Sequence, residues 1–283
     1  MSKLREIPVS EITATVREMS IKVNHFLSED MKECLMNAKT TEKSPIGQNV
    51  LDQLERNLQI AEEDMIPICQ DTGMAVVFLS VGQDVHFIGG ELTEAVNEGI
   101  RQGYTQGYLR KSVVKDPLLR ENTGDNTPAI IHTQIVSGDQ VKIILAPKGF
   151  GSENMSRIFM LKPAEGIEGV RRVVLEAVKD AGPNACPPMV IGVGIGGDFE
   201  KAACLAKQAL TRKAGSHSSL PHIAALETEL LQKINDLGIG PGGLGGTVTA
   251  FAVQIETFPT HIAGLPVAVN ICCHVNRHVE KII

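Results

Sequence analysis

Apolar residues recur every three or four positions through the first sixty residues of the chain. Ile12, Val16, Met19 and Val23, with Phe26 or Leu27, form one stripe and predict a helix from Ser10. Ser28, followed by Glu29 and Asp30, predicts the N-cap of a second helix, with Cys34, Leu35 and Ala38 on its apolar side. Ser44-Pro45 opens a third, carrying Val50, Leu51, Leu54, Leu58 and Ala61. The helical portion thus covers about residues 8–65. The pattern then changes. Ala75 to Val81 is a continuous apolar run and reads as a buried strand, and Thr93 to Gly103 returns to the helical period. Ala129–Val136 and Gln140–Pro147 read as strands joined by Ser137-Gly138-Asp139, a hairpin signal. Helices follow over 163–181, 198–212 and 223–237, and strands over 189–193, 247–255 and 267–271. Six of the nine residues from Gly238 to Gly246 are glycine, and they lead straight into a strand. Close backbone approach explains them better than a linker does. The fold class is mixed α/β (α+β): N-terminal helices, then strands and helices around a Gly-rich centre. No repeat divides the 283 residues, and one domain over 1–283 is expected.

At 43% hydrophobic and 21% charged, the composition is that of an ordinary globular protein. A net charge of -6 argues against nucleic acid as a partner, and the absence of Trp and scarcity of Tyr argue against base stacking. Apolar runs are too short to span a membrane, and the first residues have no apolar signal region, so the expected place is the cytoplasm.

The polar chemistry gathers on turns. Cys69-Gln70-Asp71-Thr72-Gly73 sets a thiol, an amide, a carboxylate and a hydroxyl in sequence just before a strand. As a tight turn with a buried Cys it needs no function. Two other Cys-bearing turns change that reading. Cys186 stands between Gly182-Pro183-Asn184 and Pro187-Pro188, and Cys272-Cys273 ends the last predicted strand. Cys34 and Cys204 sit on helix faces and read as core. No CxxC spacing occurs, so a metal site must take its thiolates from distant loops. Cys69, Cys186 and Cys273 (or Cys272) would provide three soft ligands, which suits iron–sulfur or zinc and leaves one metal corner open. Lys148 to Asn154 could present amides and a cation to an anion. Arg110 suits a bidentate grip on a carboxylate, although composition alone makes it and the Arg120–Pro128 stretch a solvated surface. Gly192-Val193-Gly194-Ile195-Gly196-Gly197 satisfies G-x-G-x-x-G, but no acidic residue stands about 20 positions on, so close packing is preferred to a dinucleotide site.

These motifs resemble the α-type catalytic part of the iron–sulfur hydro-lyases, the class I fumarate hydratases and L(+)-tartrate dehydratases. The matching stretches are Cys69 to Gly73, Asn122-Thr123-Gly124-x-Asn126-x-Pro128, Lys148-Gly149-x-Gly151-Ser152-x-Asn154, Cys186-Pro187-Pro188 with Gly192 to Gly197, and Gly245-Gly246-Thr247 onward to Cys273. They span about residues 10–280. The resemblance implies the iron–sulfur hydro-lyase α-type fold and an oxygen-sensitive [4Fe-4S] cluster held by Cys69, Cys186 and Cys273. Cys273 is chosen over Cys272 because the third ligand lies seven residues after a Pro-Val pair, here starting at Pro266. The resemblance further implies substrate contacts from Gln70, Asp71, Arg110 and the Gly151 amide, with Asp71 as acid–base.

Single-chain relatives carry a further C-terminal domain, whereas this chain resembles the α subunit of the two-subunit form. A β subunit completing the active site, in an α2β2 assembly, is therefore expected. The implied function is reversible hydration of fumarate to (S)-malate. The alternative is dehydration of tartrate to oxaloacetate. Two other readings stay in play: a cluster-carrying electron-transfer or redox-sensing protein, and a structural subunit whose cysteines are all core.

Overall fold

The computed structural model describes residues 4–283, and they form two compact units. The first unit takes residues up to 28, then 58–149 and 277–283. The second takes 29–57 and 150–276. Neither is a continuous stretch of chain. No helix among the described residues is long and apolar enough to cross a membrane.

The first unit holds β1 (Arg5–Pro8), α1 (Val9–His25), β2 (Met74–Gly82), β3 (Val85–Ile88), α4 (Leu92–Gln106), β4 (Ile130–Val136), β5 (Val141–Lys148) and β10 (Val279–Ile282). Its main sheet has the order β10-β5-β2-β4, and β1 pairs with β3 in a separate parallel ladder. Alternate residues of β2 (Ala75, Val77, Leu79, Val81) and of β5 (Val141, Ile143, Leu145) face a core shared with α1 and α4. Ile12, Val16, Met19 and Val23 of α1 are buried there, as the helical period predicts. The two helices pack closely because Gly99 and Gly103 have no side chain: a Cβ would stand 2.7 Å from Val16 Cβ and 2.6 Å from Ser20 Cβ.

The hairpin expected over 129–147 does not form. β4 and β5 both bond to β2, which lies between them, parallel to β4 and antiparallel to β5. The end of β2 fills the slot between the two strands. Gly82 N donates to Gln140 O (2.8 Å), Gln83 N to Val136 O (2.8 Å) and Asp84 N to Gly138 O (2.9 Å). Gly82 makes this possible, since a Cβ there would meet Gly138 O at 2.4 Å.

In the second unit are α2 (Glu29–Thr41), most of α3 (Pro45–Glu63), α5 (Phe150–Glu153), β6 (Arg157–Leu161), α6 (Gly166–Ala181), β7 (Met189–Gly196), α7 (Phe199–Ala209), α8 (Pro221–Asn235), β8 (Ala250–Phe258) and β9 (Leu265–Cys272). The sheet order is β6-β9-β7-β8. One face of β7 and β9 (Met189, Ile191, Val193; Val267, Val269, Ile271) joins α6 and α8 in the core. The other face receives α7, with Ala202, Ala206 and Ala268 in contact. Here the glycine motif finds its use. A Cβ at Gly192 would sit 2.2 Å from Ala206 O, and one at Gly194 2.1 Å from Ala202 O. The glycines of β7 let helix backbone lie directly on the strand, the packing reading preferred above to a nucleotide site.

The Gly-rich stretch is held by a carboxylate. Glu42, 2% exposed, accepts hydrogen bonds from Ser44 N (2.7 Å), Thr247 N (2.9 Å) and Val248 N (2.8 Å). Burial pushes its carboxyl up, and the backbone donors outweigh that and hold it below the ordinary value. Gly246 has φ +147, and a Cβ there would stand 2.7 Å from Glu42 Oε1, so the loop can approach the carboxylate only as glycine.

Candidate active site

In the first unit, residues 68–73 turn between α3 and β2, and nearly every residue of the turn is tied down. Ile68 N donates to Asn24 O (2.9 Å). Arg277 Nη2 donates to Asp71 O. Thr72 Oγ1 donates to Arg110 O (3.1 Å). The Tyr104 hydroxyl donates to Thr72 O (2.8 Å), and Asn126 Nδ2 donates to Gly73 O (3.2 Å). Gly73 closes the turn at φ +75, with Lys148 backbone 2.7 Å from where a Cβ would be. With these backbone groups satisfied, the side chains are the variable part of the turn.

Those side chains present the expected chemistry together. Cys69 is partly exposed, and its Sγ accepts from Asp71 N at 3.4 Å. Gln70 is exposed. Asp71 Oδ1 accepts from Gly73 N (3.0 Å), and a Cβ on Gly149 would stand 3.0 Å from Asp71 Oδ2. Gly149 therefore gives the carboxylate its room. Arg110 is exposed, and its main-chain oxygen is the one bonded to Thr72, so its guanidinium starts from a point fixed to the turn.

The Arg120–Pro128 stretch divides in two. Asn122 is exposed and caps a local turn, with Gly124 N donating to its Oδ1 (2.7 Å), as a solvated loop should. Asn126 is fully buried, in the left-handed region at φ 64, and accepts from Ser112 N (2.6 Å) while donating to Gly73. Beside it, burial pushes the Asp125 carboxyl up, but the Thr127 amide and hydroxyl, Arg101 and Thr123 bring it down to about 2.

The second unit brings Cys186, Cys273 and Gly151 toward one another. Cys186 is exposed and takes φ 53, ψ 63, a left-handed conformation that costs a Cβ-bearing residue strain. Its amide donates to Pro183 O (3.1 Å), and its oxygen accepts from His274 N (3.3 Å) and lies 3.0 Å from His274 Nδ1. Since His274 follows Cys273, these contacts join the two Cys segments. Gly242 N donates to Pro187 O (2.9 Å), and Gly243 packs on Pro183, so the Gly-rich loop supports the Cys186 turn. Gly151 is exposed on α5, its Cβ position 3.9 Å from Asn184 O. Cys272 is buried on β9, whereas Cys273 is partly exposed just past the strand.

Burial, then Asp30 and Glu33, push the Cys34 thiol up to about 11, and burial raises that of Cys204. Neither favours a thiolate, although both side chains are only half-buried on their helices and not in the core that the sequence reading gave them. A groove of about 330 Å³ between α6 and α8, lined by Ile167, Val170, Ile223 and Leu226 among others, contains none of the candidate residues.

Tyr104, Glu42 and Arg277 escaped the sequence reading, and Asn126 entered it only as part of the Asn122–Pro128 motif, with no role of its own. Each is a polar side chain buried by contacts distant in sequence. The one available signal was local: a Tyr directly after a predicted helix, in a chain with only two.

Cys69, Cys186 and Cys273 are thiols on turns, the soft donors that iron–sulfur clusters and zinc both take. Among the described residues, no three or more His, Cys, Asp or Glu side chains are gathered as a metal group. The candidate thiols are divided, Cys69 in the first unit, Cys186 and Cys273 in the second, and no cysteine is in a disulfide. Three unbridged thiols on turns fit soft-donor chemistry, and the two raised helix thiols do not.

Residues 13–281 match the family model described as "Fumarate hydratase (Fumerase)", and the chain belongs to this hydro-lyase family. Its relatives carry more particular names. A Methanocaldococcus jannaschii protein, provisionally named L(+)-tartrate dehydratase subunit alpha, is 43% identical over 277 residues, covering 96% of this chain and 97% of that one. The L(+)-tartrate dehydratase subunit alpha of Escherichia coli (strain K12) is 32% identical over 272 residues, 95% of this chain and 89% of that one. The protein of the same name from Shigella sonnei (strain Ss046) is similar to the same extent.

Proposed function

We propose that this chain is the α subunit of an iron–sulfur hydro-lyase that adds water to, or removes it from, a four-carbon dicarboxylate. Cys69, Cys186 and Cys273 hold a [4Fe-4S] cluster, the whole of 1–283 works as one catalytic domain, and a β subunit completes the site in an α2β2 assembly. The reading also places the protein in the cytoplasm, where thiols stay reduced. The observation that carries it is the rigid turn at Cys69, which presents a thiol, an exposed amide and a carboxylate beside an exposed guanidinium. The burial of Cys272 beside the partly exposed Cys273 supports the choice of third ligand.

When bound, the cluster supplies a Lewis-acidic iron at its open corner. The chain's residues do the rest. Arg110 binds one substrate carboxylate and fixes the orientation of the dianion. The Gln70 amide and the Gly151 N–H hold the substrate's oxygens in register. Asp71, kept in place by Gly73 N and given room by Gly149, moves the proton at the substrate hydroxyl. The two carboxylates of the substrate suit a site with a cation at its rim and an amide and an N–H inside.

Two substrates are in view. The family description favours fumarate and (S)-malate, and the names of the relatives favour tartrate and oxaloacetate. Malate and tartrate differ by one hydroxyl, a difference that hydrogen-bonding groups can discriminate strongly. The test is iron and acid-labile sulfide in the anaerobic complex for wild type, Cys272→Ser and Cys273→Ser, followed by turnover of malate against tartrate. Near four irons in wild type and Cys272→Ser, with loss in Cys273→Ser, is expected. A wild type that stays iron-free after reconstitution would remove the mechanism's centre and favour the structural-subunit reading, whereas a filled cluster with no turnover of either diacid would favour electron transfer.

A further inference from the structure

Arg277 is 4% exposed, and its guanidinium makes one hydrogen bond, from Nη2 to Asp71 O. Nε and Nη1 are buried and have no partner among the described residues. An always-charged fork of five N–H donors is thus enclosed with a single neutral acceptor. Buried charges ordinarily have filled hydrogen bonds, and two of the three guanidinium nitrogens of Arg277 have no partner among the described residues. Its surroundings repeat the point. Burial raises the Tyr104 phenol, and the charge on Arg277 is the foremost influence opposing it. The acceptor it does hold belongs to the residue whose amide meets the Cys69 sulfur.

We propose that Arg277 is a positioning residue of the Cys69–Gly73 turn whose Nε and Nη1 form an anion-receiving point, filled by an anionic acceptor when the turn is loaded. Through Asp71 O it sets the backbone from which Gln70 and Asp71 project. Its unpaired donors need an acceptor that the described residues do not supply, and the positive charge favours an anionic one. The identity of that acceptor rests on the hydro-lyase reading, as a cluster sulfur or a substrate carboxylate. The need for one does not.

The experiment compares the anaerobic complex as wild type, Arg277→Lys and Arg277→Met. In the iron-free state, Arg277→Met should melt at or above wild type, because a buried cation with two unpaired nitrogens is replaced by an apolar chain of similar length. A residue serving only to tie down Asp71 gives the opposite sign. After loading, iron retained through anaerobic dialysis should fall about tenfold in Arg277→Met if the anion is a cluster sulfur. If it is a substrate carboxylate, iron stays and KM rises by about tenfold. Arg277→Lys, a charge without the fork, should fall between in either arm. Wild-type iron retention and KM in Arg277→Met, or a lowered iron-free melt as the sole change, overturns the proposal. A wild type that takes up no iron overturns the iron–sulfur reading alone. The proposal is then read on iron-free protein, where sulfate or a dicarboxylate should raise the melting point of wild type and not of Arg277→Met. No such rise in wild type would overturn it as well.

Discussion

The backbone around Cys69 is fixed by α1, α4, the Asn126 loop and Arg277, each meeting a different main-chain group of the turn. Cys186 has a different kind of support. It is exposed, takes a left-handed conformation, and is held by one bond within its own turn and contacts to His274. The first arrangement gives a carboxylate and an amide fixed directions, as positioning for catalysis requires. The second gives a thiol access and keeps strain in the backbone, a pattern found where a ligand compensates it. Two turns with the same sulfur thus divide the work between precision and reach.

The comparison breaks most sharply at Gly73. Gly73→Ala forces a Cβ against the Lys148 backbone at φ +75, and a destabilisation of about 2–5 kcal/mol is expected in urea unfolding. A loss under 1 kcal/mol (roughly the scale of a tolerated surface change) would mean that the Cys69 turn is not rigid. Next is Glu42, which supports the Gly-rich loop beneath Cys186. Glu42→Gln should cost about 2–3 kcal/mol at neutral pH. The sign in acid follows from the depressed carboxyl. Its stabilisation is complete above the unfolded value near 4.5 and is lost as pH falls through the lower folded value. Stability against pH should accordingly fall less in Glu42→Gln than in wild type below that point. Equal slopes would show that the carboxylate charge is not what holds the loop.

Tyr104→Phe removes the donor to Thr72 O and leaves that oxygen short of a partner, at about 1–2 kcal/mol. It should also lower kcat in the loaded complex while Cys186→Gly, in iron-free protein, makes a contrast of the other sign. Glycine accepts the left-handed conformation, so Cys186→Gly should be about 1 kcal/mol more stable than Cys186→Ala. An alanine variant as stable as the glycine one would remove the claim of strain.

The helices were legible because their stripes repeat over several turns, and α1 buries the residues its period names. Strands β1, β3, β6 and β10 were not, since four or five residues carry too little alternation to register. The hairpin failed for another reason. Its turn chemistry is real, but pairing is decided by what fills the gap, and β2 lies more than fifty residues upstream. At the candidate site, the turns and thiols are written locally and could be read. The motif around Asn126 does not show that its amide reaches Gly73, 53 positions away, and Arg277 acts through a group 206 positions away that nothing in its own neighbourhood announces.

That last separation has a consequence for timing during synthesis. Arg277 and β10 belong to the same unit as Cys69, yet a ribosome makes them 206 positions later. At ordinary elongation rates the interval is roughly 10–40 s. Through that interval the nascent turn has its thiol but lacks both its last hydrogen-bond donor and the edge strand of its sheet. The unit is therefore closed only once residues 277–283 have been made, and any ligand that Cys69 took before then would meet an unfinished turn.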